Sequence, residues 1–334
     1  DQVPLRCYGQ GRLCEFLRQL FLFTNPFVQR RERNRSYTNF GWNRVQSFLT
    51  LVFMNKMFQG GVYLLALFLV SCLNPFPKGT DVFYNRSYGP DIRNKVDVYL
   101  PQERGSETET VVLIHGGAWV AGDKGGAELK DVRNMLLEDG YAVASMNYRY
   151  ACGDYNKQME DVDNALAHLT SSAAEWNIGS ERFGLVGMSA GGHLALLYGH
   201  AFNQDSVVKT VVSIVGPTDL TNPQFHSYAN NYGIMWTLEE LVGTTFAEDS
   251  AAFAEASPLF RSTNCPSLFI YGGIDDLVPK EQGIAMYDTL QNNGVPSDTL
   301  IPANGSHNVY GPNNIYKTQV DEKILGWINT HLDG

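Results

Sequence analysis

A serine, two aspartates and a histidine follow one another along this chain in an order that could support acyl transfer. Ser189 is the centre of a Gly-Met-Ser-Ala-Gly pentapeptide, Asp275 and Asp276 are adjacent, and His307 comes last. Serine is a poor nucleophile at neutral pH, and it needs a base within hydrogen-bond reach that a third group orients. We therefore expect Ser189 as the nucleophile, His307 as the general base and one of the two aspartates as the orienting acid.

The pentapeptide around Ser189 becomes informative through its flanking sequence. An apolar run, residues 182–186, precedes it, and a run typical of a helix start, residues 192–198, follows it. Glycine two residues before and two residues after the serine permits a tight turn between a strand and a helix, which leaves the hydroxyl exposed. We expect that strand–turn–helix arrangement here.

A second motif, the His-Gly-Gly-Ala-Trp of residues 115–119, could stabilise the negative charge that develops in acyl transfer. Its two glycines let the backbone pass close to a substrate carbonyl, and one donor of this kind is worth about 2.7–4 kcal/mol. We expect three backbone N–H groups to form the oxyanion hole, those of Gly117, Ala118 and Ala190. We expect the rest of the motif to support the loop: His115, Gly116 and Trp119.

Strands alternate with helices along most of the chain, which predicts a mostly parallel sheet with helices on both faces. The predicted strands are residues 95–100, 110–114, 141–147, 182–186, 207–215, 267–271 and 299–301. The predicted helices, besides the one after the serine, are residues 128–137, 157–176, 281–290 and 315–328. Each candidate catalytic residue follows a strand, and parallel strands end at one edge of a sheet, so we expect the site at that edge.

These motifs resemble the α/β-hydrolase superfamily, and within it the esterase/lipase branch with an His-Gly-Gly oxyanion motif, which includes bacterial acetyl and feruloyl carbohydrate esterases. The resemblance covers about residues 91–330. It implies the α/β-hydrolase fold, ester hydrolysis through an acyl-enzyme and no cofactor or metal. By position it favours Asp275 over Asp276 as the orienting acid. The family usually has His-Gly where this chain has Tyr271 and Gly272, a difference outside the three catalytic positions.

Alternatives to a carboxylesterase remain open at this point. Arylformamidase-like amide hydrolases share both motifs, prolyl-oligopeptidase-like peptidases share the catalytic core, and some related proteins are inactive binding proteins. The complete set of serine, acid and base disfavours the last class. We expect a small-molecule or polysaccharide-linked ester as substrate, and the sequence does not indicate the oligomeric state.

Composition and charge limit the classes of partner. The 334 residues are 44% hydrophobic and 12% aromatic, which is ample for a large core. Residues 72–334 carry 16 basic and 32 acidic side chains, a net charge of −16, so we expect no nucleic-acid binding. Residues 78–334 are expected to form one catalytic domain, in which segment 221–248 is either a small cap or a long ordered loop.

The amino-terminal part of the sequence has a different character. Residues 1–53 carry eight arginines, no lysine and three acidic residues, and we interpret them as a leader or as upstream sequence translated in error. Residues 54–71 are typical of a signal peptide, and they end in a lipobox-like sequence before Cys72. We expect lipidation at Cys72, a bacterial cell-envelope location and membrane contact only through that anchor. Cys152 and Cys265 are expected to be free thiols.

Overall fold

Short apolar segments of the chain form one eight-stranded sheet in the computed structural model, which describes residues 76–261 and 264–332. The strands are β1 (Asp81–Ser87), β2 (Lys95–Leu100), β3 (Thr110–Ile114), β4 (Ala142–Met146), β5 (Phe183–Met188), β6 (Val208–Ile214), β7 (Ser267–Ile270) and β8 (Ser297–Leu300). The expectations for the leader, the signal peptide and Cys72 lie outside the described residues.

The strand order is β1-β2-β4-β3-β5-β6-β7-β8. All strands from β3 to β8 pair in parallel, and only β2 runs antiparallel to both of its neighbours. Every residue of β3, β4, β5 and β7 is buried, as central strands covered on both faces should be. The expectation of a mostly parallel sheet is confirmed.

Eight α-helices lie between or after the strands in the described part of the chain. They are α1 (Lys130–Glu138), α2 (Asn156–Trp176), α3 (Ala190–Leu197), α4 (Pro223–Asn231), α5 (Met235–Val242), α6 (Ser250–Glu255), α7 (Glu281–Asn292) and α8 (Lys317–His331). Helices α1 and α8 pack against one face of the sheet, where Val111 and Leu113 alternate with residues of the opposite face. The helices therefore form two layers around the sheet, and the core fills the space on each side.

The edge strand β1 is the main element that the sequence analysis missed. Its residues are half-buried or exposed throughout, and among the described strands only β2 pairs with it. Without a buried face the segment lacks the alternation by which a strand is recognised. The other strands were placed correctly to within a few residues.

Segment 221–248, for which a cap and a long loop were both considered, contains the helices α4 and α5. Asn222 caps α4 by accepting a hydrogen bond from the N–H of Phe225, and Pro223 occupies the first helical turn. Gly243 ends α5 in the left-handed conformation, with φ of 93°. These capping residues are visible in the sequence, so the two helices could have been predicted.

Candidate active site

The turn at Ser189 joins the end of β5 directly to the start of α3. Ser189 has φ of 55° and ψ of −121°, a strained conformation for a residue with a side chain. A methyl group at Gly187 would lie 2.1 Å from the carbonyl oxygen of Gly191, and one at Gly191 would lie 2.1 Å from that of Ile114. Both glycines are therefore required by the close approach of the helix to strands β3 and β5.

Ser189, His307 and Asp275 form a hydrogen-bonded chain, although 118 and 32 residues separate the members of its two pairs. His307 Nε2 lies 3.2 Å from Ser189 Oγ, and His307 Nδ1 lies 2.9 Å from Asp275 Oδ2. Because a carboxylate only accepts, the proton of the neutral imidazole sits on Nδ1 and the lone pair on Nε2 faces the serine. That arrangement lets His307 take the proton of the hydroxyl.

The carboxylate of Asp275 is held by the backbone of its own loop. Its Oδ1 accepts hydrogen bonds from the N–H groups of Leu277 and Val278, both at 2.9 Å, and its side chain is fully buried. The neighbouring Asp276 is exposed and does not reach His307. Its Oδ1 instead accepts a 2.8 Å hydrogen bond from the hydroxyl of Tyr232, which raises the pKa of that tyrosine to about 12. The structure thus joins Asp275, not Asp276, to the histidine.

The loop after β3 passes directly beside the serine. A methyl group at Gly116 would lie 3.3 Å from Ser189 Cβ, so the two turns are in contact. The next three residues all have positive φ: 121° at Gly117, 49° at Ala118 and 61° at Trp119. At Gly117 a methyl group would also meet the carbonyl oxygen of Ala121 at 2.3 Å, so only glycine fits.

The three expected oxyanion donors share one feature of their hydrogen bonding. Among the described residues, the N–H groups of Gly117, Ala118 and Ala190 donate to no protein atom. Ala190 is only 1% exposed, and a buried backbone N–H without an acceptor is rare in proteins. A cluster of such donors beside a nucleophile can bind an oxyanion.

Trp119 connects this loop to helix α3. It is buried, and its indole N–H donates to Nδ1 of His193 at 3.2 Å, while Nε2 of His193 lies 2.8 Å from the carbonyl oxygen of Ala256. The indole can only donate and the carbonyl can only accept, so His193 is neutral with its proton on Nε2. Burial lowers the pKa of His193 to about 4, which is consistent with that state. Trp119 therefore supports the loop rather than lining the substrate site.

His115 supports the other end of the same loop. Its ring is 2% exposed and stacks on Tyr148 with 4.4 Å between ring centroids. Its two ring nitrogens contact the carbonyl oxygen of Gly116 and the guanidinium of Arg93. Sequence reasoning missed Arg93, because nothing in its local sequence distinguishes it from a surface arginine.

The helices after β6 lie along the edge of the sheet that carries these groups. Tyr232, at the end of α4, binds Asp276 in the loop after β7. At the end of α5, Gly243 packs against Gly153 in the loop after β4. Three strands separate β4 from β7, a distance of roughly 19 Å at the usual spacing between strands. Helices α4 and α5 therefore bridge loops on both sides of the strand that carries Ser189.

Three further features of the described residues concern metal binding, free thiols and membrane-spanning helices. No group of three or more histidine, cysteine, aspartate or glutamate side chains is arranged to hold a metal ion there. Cys152 and Cys265 are free thiols, the latter buried with its pKa raised to about 12. None of the helices described combines the length and apolar character needed to span a bilayer.

Comparison with known proteins connects this geometry to esterases. A family model described as BD-FAE matches residues 96–290. A probable isoprenylcysteine alpha-carbonyl methylesterase of Oryza sativa subsp. japonica is 28% identical over 243 residues, which cover 66% of this chain and 55% of that protein. Esterase LipC of Mycobacterium tuberculosis is 26% identical over 219 residues, 61% of this chain and 54% of that protein. The chain spans about half the length of the curated relatives it matches.

Solved structures of esterases share the architecture. A truncated carbohydrate esterase from gut microbiota superimposes with a TM-score of 0.63 at 22% identity, covering 75% of this chain and 98% of that chain. Esterase B from Lactobacillus rhamnosis does so with a TM-score of 0.60 at 19% identity, covering 80% and 93%. At these identities the likeness shows the fold, and it confirms the expected α/β-hydrolase architecture.

Proposed function

The chain belongs to the BD-FAE family, and from this premise we propose that it is a serine carboxylic-ester hydrolase. One observation carries the proposal: a strained serine, a histidine and a buried aspartate are hydrogen-bonded in series beside three backbone N–H groups that have no protein acceptor among the described residues. Two of the relatives are named as esterases, which agrees with this proposal.

The proposed reaction proceeds in two steps that use the same groups. Ser189 Oγ attacks the ester carbonyl while its proton moves to His307 Nε2, and the imidazolium that forms is stabilised by Asp275. His307 then gives this proton to the leaving alcohol, which departs and leaves an acyl-enzyme on Ser189. A water molecule attacks the acyl-enzyme, again with His307 as the base, and releases the carboxylic acid.

In both steps the carbonyl oxygen becomes an oxyanion. We assign its stabilisation to the N–H groups of Gly117, Ala118 and Ala190, with a further contribution from the amino-terminal end of the α3 dipole. Loss of one donor in a comparable site lowers kcat by about 100- to 1000-fold. Trp119 holds the loop that presents the N–H groups of Gly117 and Ala118, so the geometry of this loop does not depend on the substrate.

For the substrate we propose short acyl esters of small or carbohydrate alcohols, of the acetyl or feruloyl kind. The likeness to a carbohydrate esterase supports the alcohol part. The position of helices α4 and α5 supports a short acyl group, because both helices occupy space at the edge of the sheet that carries Ser189.

For the amino-terminal region we propose a lipid anchor at Cys72 and a cell-envelope location, which incorporation of labelled palmitate would test.

Labelling by a fluorophosphonate probe tests the mechanism, and a substrate panel tests the specificity. The wild type should be labelled once, the variant Ser189→Ala should not be labelled, and Ser171→Ala, an exposed serine on α2, should behave as the wild type. The panel is acetyl, butyryl and octanoyl p-nitrophenyl esters, methyl ferulate, acetylated xylan and N-formylkynurenine. A folded protein that the probe does not label would rule out the serine mechanism, and faster turnover of N-formylkynurenine than of any ester would favour an amidase.

A further inference from the structure

Arg93 lies in the turn before β2, where its guanidinium makes three polar contacts and one aromatic contact around the oxyanion loop, residues 115–119. Its Nε donates to the carbonyl oxygen of Tyr148 at 2.8 Å, and its Nη2 donates to that of Gly122 at 3.2 Å. The same Nη2 lies 3.2 Å from Nε2 of His115, and the guanidinium packs 3.9 Å from the ring centre of Tyr150. These contacts hold the guanidinium firmly in place at the rear of the loop.

The contacts of His115 determine where its proton resides. A guanidinium has five donors and no acceptor, so Nε2 of His115 must present its lone pair to Arg93. The Nδ1 atom lies 2.7 Å from the carbonyl oxygen of Gly116, which can only accept. Both contacts are satisfied together only by the neutral ring with its proton on Nδ1.

The carbonyl that accepts this hydrogen bond belongs to the peptide unit that carries one of the three proposed oxyanion donors. The C=O of Gly116 and the N–H of Gly117 are part of the same planar peptide, and no cis peptide bond occurs in the described residues. In a trans peptide the two groups point in opposite directions. A hydrogen bond that holds the Gly116 carbonyl towards His115 therefore directs the Gly117 N–H away from the ring.

We propose that Arg93 is a positioning residue for ester hydrolysis: through the tautomer of His115 it holds the Gly116–Gly117 peptide in the orientation that presents an oxyanion donor. This inference rests on the proposed function for its effect on catalysis, whereas the tautomer itself can be measured independently. Because both residues of this peptide are glycines, its plane can rotate easily, and the hydrogen bond to His115 restricts that rotation.

The surroundings of His115 keep the ring neutral. Burial is the main cause that lowers the pKa of His115 to about 4, and the positive charge of Arg93 lowers it further. The hydrogen bond to the carbonyl oxygen of Gly116 and the carboxylate of Asp123 oppose this shift. The stacked Tyr148 has its own pKa raised by burial and stays uncharged. The ring of His115 should therefore remain in one neutral tautomer at neutral pH.

Kinetics of Arg93→Met test the positioning role, because methionine keeps an unbranched apolar side chain and removes the donors. We expect kcat for p-nitrophenyl acetate to fall about 10- to 100-fold, less than for complete loss of a donor, with KM changed less than about twofold. Arg93→Lys has a single donor nitrogen, which cannot reach all three acceptors at once, so its kcat should lie between those of the wild type and Arg93→Met. The double variant Arg93→Met/His115→Asn should lose no more than the worse single variant, because both act on one peptide.

The matched control is Arg104→Met at the opposite edge of the sheet. Arg104 also makes three polar contacts, with the carbonyl oxygens of Trp176 and Pro101 and with the carboxylate of Asp81. Its loss should affect thermal stability as much as the loss of Arg93 while leaving kcat unchanged. An unchanged kcat in Arg93→Met, or an effect on KM alone, would contradict the positioning role.

The tautomer is measured on the wild type by long-range ¹H–¹⁵N NMR of ¹⁵N-histidine-labelled protein, in which the His115 signals are those missing from His115→Asn. We expect the Nδ1–H tautomer in the wild type and its loss or mixing in Arg93→Met. An Nε2–H or doubly protonated ring in the wild type would overturn the inference whatever the kinetics show. If the expected tautomer is found in a protein that hydrolyses no ester, the proposed function is wrong, while the inference that Arg93 fixes the tautomer of His115 is retained.

Discussion

Replacement of Asp275 by asparagine should stop catalysis by reversing the tautomer of His307. Three donors converge on the carboxylate: the N–H groups of Leu277 and Val278 on Oδ1, and Nδ1–H of His307 on Oδ2. An asparagine has one acceptor oxygen, and the two backbone donors are fixed, so its oxygen should stay with them. Its NH₂ group then faces His307, which must present a lone pair at Nδ1 and carry its proton on Nε2.

A histidine with its proton on Nε2 cannot accept the proton of Ser189. The corresponding change in a well-studied serine protease lowers kcat by about 10⁴, which is about 5.4 kcal/mol in activation free energy at 1.36 kcal/mol per tenfold. We expect a loss of this size here. Because the side chain keeps its shape and two of its hydrogen bonds, the free energy of unfolding should fall by no more than about 1–3 kcal/mol.

The assay compares kcat for p-nitrophenyl acetate in the wild type, Asp275→Asn and the matched control Asp276→Asn, with circular dichroism to confirm folding. Asparagine at position 276 can still accept the hydrogen bond from Tyr232, so the control should stay within about threefold of the wild type in kcat. Equal losses in the two variants, or a loss of less than tenfold in Asp275→Asn, would refute the assigned role of Asp275.

Two further predictions concern the elements around the site. Tyr232→Phe removes the hydrogen bond to Asp276, and since this bond is partly exposed we expect the free energy of unfolding to fall by at most about 1.5 kcal/mol. Release of helix α4 should also lower KM for the octanoyl ester relative to KM for the acetyl ester. An unchanged ratio of these two KM values would mean that the hydrogen bond does not limit acyl length. The second prediction concerns pH. Burial lowers the pKa of His115 and of His193 from 6.5 to about 4. Between pH 6.5 and about pH 4 the unfolded chain therefore binds more protons than the folded protein. The free energy of unfolding should therefore fall as pH drops from 6.5 to about 4. Urea titrations at several pH values should show a shallower fall in His193→Gln than in the wild type. Equal dependence of the free energy of unfolding on pH in the two proteins would contradict the assignment of a buried neutral ring.

Much of the site could be predicted from the sequence because its constraints act between neighbouring residues. The turn at Ser189 needs small residues two positions away on each side, so steric demand places Gly187 and Gly191 in a recognisable spacing. The strands that carry the site are buried on both faces, so their continuous apolar runs mark them. The order of nucleophile, acid and base then follows from the order of those strands along the chain.

The tertiary structure decided which groups are partners when these lie far apart in the chain or compete at adjacent positions. Asp275 and Asp276 have the same chemistry, and only the path of the loop turns one carboxylate towards His307 and the other towards Tyr232. The pairing of Trp119 with His193 likewise depends on how a loop after one strand meets a helix after another.

The amino-acid sequence was sufficient to predict acyl transfer from a serine and the edge of the sheet at which it would take place, because backbone sterics and apolar periodicity are local properties. The three-dimensional fold was needed to join the carboxylate of Asp275 to His307 and to bring the guanidinium of Arg93 against His115. These contacts depend on distances and proton positions among groups that strand order brings together, and hydrogen bonds of that kind leave no mark on neighbouring residues.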